Sequence, residues 1–68
     1  MKYFILKTNN EMPYKDLLKV ARGFNKKAYN FFSETDYKGA RCFAFKEAGK
    51  LARKVANAVG GEIIEVDV

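Results

Sequence analysis

Sixty-eight residues set the size of one domain, near the lower limit of what folds without a disulfide or metal staple. The single Cys42 excludes an internal disulfide framework, and the absence of histidine leaves no zinc site of the usual kind. Thirteen Lys and Arg against eight Asp and Glu give a net charge of +5, and a 49% hydrophobic content with six Phe and four Tyr excludes a disordered tail.

Lys2 to Lys7 is aromatic and β-branched and predicts a first strand. Thr8-Asn9-Asn10 reads as a turn with an N-cap, and Pro13, the only proline, suits the first turn of a helix. Tyr14, Leu17, Leu18, Ala21 and Phe24 then follow helical spacing, one apolar stripe over about three turns. Gly23 reads as the stop, with Phe24 folding back as the contact after a C-cap. Ala28 to Ser33 is ambiguous. Its aromatics favour a strand, and the competing reading runs the first helix on to about Asn30 and leaves three strands.

Asp36-Tyr37-Lys38-Gly39 has the Asp-first, Gly-fourth pattern of a type I turn and precedes a strand-like run, Ala40 to Phe45. Two strands about such a turn make a hairpin. Lys46 to Val59 predicts the second helix, with Ala48, Leu51, Ala52, Val55 and Val59 inward and Gly60-Gly61 ending it. Ile63 to Val68 predicts the last strand, with Ile64, Val66 and Val68 on one face and Ile63, Glu65 and Asp67 on the other. The order is βαββαβ. Residues 1–68 therefore read as one ferredoxin-like α+β domain, a four-stranded antiparallel sheet with both helices on one face and the other face open.

Catalytic signals are poor. Without histidine the commonest acid–base group near neutral pH is missing, and Ser33, the only serine, has no base in the pattern around it. Cys42 follows Arg41 but reads as a structural thiol. Glu65 and Asp67, two apart on a strand, could hold a weakly bound cation, although a solvated edge-protecting face explains them as well. The glycines fit no phosphate-binding loop. The chain reads as a non-enzyme with no cofactor and no metal. No apolar run approaches the ~20 residues of a membrane span. Tyr3-Phe4-Ile5-Leu6 is too short for a signal-peptide core, so the lone thiol points to a reducing, cytoplasmic setting.

The basic residues show more order. Between Lys15 and Lys54 lie eleven bases and only four acids, Asp16, Glu34, Asp36 and Glu47, whereas Glu62 to Val68 carries acids alone. Lys15, Lys19, Arg22 and Lys26 run at i, i+4, i+7, i+11 opposite the first apolar stripe. Lys46, Lys50, Arg53 and Lys54 repeat the pattern on the second helix. In a ferredoxin-like fold these rows form one electropositive surface, suited to phosphates or to an acidic protein surface. The competing reading is the solvated face of any amphipathic helix.

Lys38-Gly39-Ala40-Arg41-Cys42-Phe43-Ala44-Phe45 resembles the RNP1 octamer of the RNA-recognition motif, with its basic residue and glycine first and its aromatic last. It falls on the third strand of a βαββαβ order, as in that family. Two departures stand out: the octamer's stacking positions correspond to Ala40 and Cys42, while Phe43 and Phe45 correspond to core-facing ones. The resemblance implies single-stranded RNA or DNA on the open sheet, with Phe4, Tyr29 or Phe31 stacking and Lys38 on phosphate. The alternative is a protein-interaction module, since the chain is similar in scale and fold to small phage-encoded regulators that block a host protein by covering a surface. A homodimer through the sheet is compatible with either reading.

Overall fold

In the computed structural model, which describes residues 1–8 and 12–68, the chain forms β1 (Lys2–Thr8), α1 (Tyr14–Phe24), a 3-10 turn (Ala28–Asn30), β2 (Phe32–Tyr37), β3 (Ala40–Lys46), α2 (Gly49–Val59) and β4 (Gly61–Asp67). The sheet order is β2-β3-β1-β4 and every neighbouring pair is antiparallel. Each β-α-β crossover skips one strand position, so the two units interleave and the fold is ferredoxin-like.

The sheet's alternation sorts the apolar residues into two clusters. Phe4 and Leu6 of β1, Phe32 of β2 and Phe43 and Phe45 of β3 meet Leu17 and Ala21 of α1 and Leu51, Ala52, Val55 and Ala56 of α2. This is the main core, between sheet and helices. Phe32 is its hub, stacked on Tyr14 at 5.1 Å and on Phe43 at 5.6 Å, with Phe45 at 4.6 Å. The Tyr14 hydroxyl donates to the Phe32 carbonyl at 3.1 Å, which fastens the start of α1 to β2. Ile5, Cys42 and Ala44 form the second cluster on the opposite face, flanked by Tyr3, Tyr37, Ile64 and Val66. β1 is thus apolar on both sides, with Phe4 and Leu6 under the helices and Ile5 on the face no helix covers.

The structure moves several boundaries. Asn9 and Asn10 lie outside the described residues, and Thr8 closes β1. Pro13 occupies the cap position of α1 rather than its first turn, with its carbonyl accepting from Asp16 and Leu17. Gly23 lies inside α1, and Phe24 is its exposed last residue. The exit is made by Asn25, whose amide donates to the Ala21 carbonyl and whose Oδ1 accepts from Lys27 N–H.

Ala28–Asn30 is neither strand nor a continuation of α1 but a 3-10 turn that buries Ala28. The second strand begins four residues later than expected. Glu34, Thr35 and Asp36 look like turn residues because β2 is an edge strand whose polar side chains meet water.

The hairpin turn also moves by one residue, to Lys38-Gly39, and both residues have positive φ (52° and 79°). That is the backbone of a type I′ turn, whose twist matches the flanking strands where type I would splay them. At the other junction α2 begins at Gly49, after Glu47 at φ 54°, and ends at Gly60 in the left-handed region. β4 follows at once from Gly61.

Candidate nucleic-acid interface

α1 puts Leu17 and Ala21 into the core, which turns Lys15, Lys19 and Arg22 outward. The bend at Asn25 brings Lys26 back beside them although it lies beyond the helix. Lys15, Leu18, Lys19, Arg22, Gly23 and Lys26 line one shallow surface groove. Among the described residues no acidic side chain lines it, and none of the four cations makes an ion pair. Gly23 leaves room there, since nothing lies within 4 Å of where its Cβ would be.

The second expected row is only partly assembled. Lys50 and Lys54 are exposed on α2. Lys54 Nζ lies 6.0 Å from the centroid of the Phe24 ring, which links the two helices across a cleft that also includes Asn57 and Ala58. Lys46, expected as the first residue of the helix, is the last of β3 and pairs with Tyr3, because the strand runs to the end of its ladder before the chain turns at Glu47. Arg53 is drawn away toward β4, donating to Glu65 Oε1 at 2.9 Å with its guanidinium 5.6 Å from the centroid of Phe4.

The aromatics expected on the sheet lie elsewhere. Phe4 faces the helices and is 8% exposed, because the register that buries Phe43 and Phe45 puts it on their side. Phe31 precedes β2 and packs half-buried against the core, while Tyr29 projects, exposed, from the 3-10 turn. Lys38 sits at the hairpin tip, 5.5 Å from the Tyr37 ring centroid.

The rings on the open face are instead Tyr3 and Tyr37. Tyr3 is hidden in the sequence because β1 is apolar at every position from Tyr3 to Leu6, so alternation alone picks no face, and Tyr37 because it reads as part of the turn and not as the end of β2. Their β3 partners, Lys46 and Ala40, are separated by nearly the whole strand, which is roughly 20 Å at strand rise.

The two carboxylates considered for a cation are already partnered. Glu65 takes Arg53 and Lys2, and Asp67 takes the terminal ammonium of Met1. Cys42 is a free thiol, 1% exposed. No helix of the described residues is long and apolar enough to cross a membrane. No protein-family model matches the chain, and no curated protein or solved structure matches it significantly.

Proposed function

We propose that this chain is a small non-enzymatic module that binds nucleic acid through the outer face of α1. The observation that carries the reading is the groove itself: Lys15, Lys19, Arg22 and Lys26 share one surface, and among the described residues no carboxylate lines it. Cations already held by acids add little to phosphate binding, whereas unpaired ones release the counterions of the nucleic acid. Lys50 and Lys54 extend the same positive field across the helix layer. The RNP1-like run contributes the hairpin and the core of the scaffold in this reading, with Lys38 as an outlying phosphate contact.

The test is a fluorescence-polarisation titration with labelled RNA and DNA at two salt concentrations. It compares the wild-type chain with the variant carrying Lys15→Glu, Lys19→Glu, Arg22→Glu and Lys26→Glu. Micromolar binding that weakens steeply with salt, lost by more than tenfold in a variant with an unchanged circular dichroism spectrum, is expected. Undiminished binding by that variant, or no binding at low salt, overturns the reading.

A second reading, a module that binds and blocks a protein, is favoured by the open sheet face, where Tyr3, Tyr37, Ile64 and Val66 surround a buried apolar floor. Binding through that face would be nearly insensitive to salt and would survive the four charge reversals.

A further inference from the structure

Taking the nucleic-acid reading as its premise, we infer that the partner is a duplex, held by the backbone phosphates of its strands and not by its bases. Proteins that bind single strands combine a basic track with aromatic platforms on which successive bases stack. The α1 groove has the track and lacks the platform, because its lining is four cations, Leu18 and Gly23.

The exposed rings nearest in sequence are no substitute. Phe24 lines the separate cleft with Lys54, Asn57 and Ala58, and Tyr29 is outside the groove lining. The open sheet cannot supply stacking on adjacent bases either. Its two rings, Tyr3 and Tyr37, stand opposite the two ends of β3, at Lys46 and Ala40, and the same-face positions between those are Cys42 and Ala44.

A duplex needs none of these rings. It presents ordered phosphates at one charge per ~1.7 Å of axis, denser than any single strand, and binding through them carries no sequence information. The groove's chemistry of flexible lysines and one arginine on a rigid helix fits that role. Among the described lining residues there is no Asn, Gln, Asp or Glu, so base edges could be read only by Arg22 and the lysines, whose readout is confined to guanine. Double-stranded DNA and double-stranded RNA offer the same phosphate chemistry, so both belong in the test.

The experiment titrates the full chain with a labelled duplex DNA, a duplex RNA, each of their separated strands, and a duplex of scrambled sequence, from 50 to 200 mM salt. Duplexes should bind at least tenfold tighter than their strands, and the scrambled duplex should bind equally. Four phosphate contacts predict a slope of log K on log salt of about −3.6, a loss of roughly a hundredfold over that range. Changing Lys19 alone to Gln should make the slope shallower by about one unit. The double variant Tyr3→Ala, Tyr37→Ala should leave duplex affinity unchanged.

Single strands that bind as tightly as duplexes, or a loss of affinity in the tyrosine variant, would overturn the duplex assignment while leaving the proposed function standing. Failure of every probe to bind at 50 mM salt would remove both.

Discussion

Arg53 of α2 and Glu65 of β4 are joined at 2.9 Å across the edge of the helix layer, with the guanidinium over the Phe4 ring. The pair uses up one cation that would otherwise belong to the outer surface. Both side chains are about half exposed, so solvent screens the attraction and the pair is worth well under that of a buried bridge. Arg53→Ala should lower stability by about 0.5–1 kcal/mol through the pair and the ring contact together, read as a fall in the urea midpoint at constant m. The same variant should keep its nucleic-acid affinity within twofold, in contrast to any change within the α1 groove.

Lys38 at φ 52° bears the conformational cost of the hairpin. A type I′ turn prefers Asn-Gly, since Asn tolerates the left-handed region better than Lys. Lys38→Asn should therefore raise stability by about 0.5–1 kcal/mol, seen as a thermal midpoint higher by a few degrees. Gly39→Ala, at φ 79°, should lower it.

Two glycines should respond to alanine in opposite directions. A Cβ on Gly61 would lie 2.7 Å from the Lys7 carbonyl oxygen and 2.8 Å from Leu6 Cδ1, and backbone in a paired strand cannot yield cheaply. Gly61→Ala should cost about 1–3 kcal/mol. Gly23 lies in a helix with open space around its missing side chain, so Gly23→Ala should add about 0.5–1 kcal/mol. Chemical denaturation of the two variants side by side checks both signs.

Cys42 is buried under neighbouring side chains on the sheet face that no helix covers. Its alkylation in native buffer should be slow and should accelerate only as the domain opens, so labelling against urea should follow the unfolding curve. Cys42→Ser should destabilise by about 1–3 kcal/mol by burying a hydroxyl in an apolar site. Rapid labelling of the folded chain would show that this face breathes.

Element order and helix faces were legible in the chain because Leu17 with Ala21, and Leu51 with Val55, repeat at a spacing only a helix buries on one side. Phe43 and Phe45 lie on the core face, where the resemblance to the RNP1 octamer implied them. The position of β2 was not legible. Glu34 and Asp36 belong to turns by composition, and only pairing with Phe43 and Arg41 holds them extended. The side of β1 that Phe4 occupies was equally hidden, because both its faces are apolar and only the β1–β3 register decides between them. For the groove, the periodic bases were visible, but the capture of Arg53 by Glu65 depends on a crossover that no local pattern reports.

The strand order bears on how quickly the native state is reached. β1 sits between β3 and β4, and its pairing with β4 joins Lys2 to Asp67, so nearly the whole chain must be gathered before the central strand has both neighbours. Contacts so distant along the chain carry a loop-closure penalty that local helices do not, which slows folding relative to a helical bundle of equal length. Until β4 arrives, Phe4, Ile5 and Leu6 present an unpaired apolar edge. A fragment ending before Gly61 would therefore leave that edge of β1 permanently without its partner.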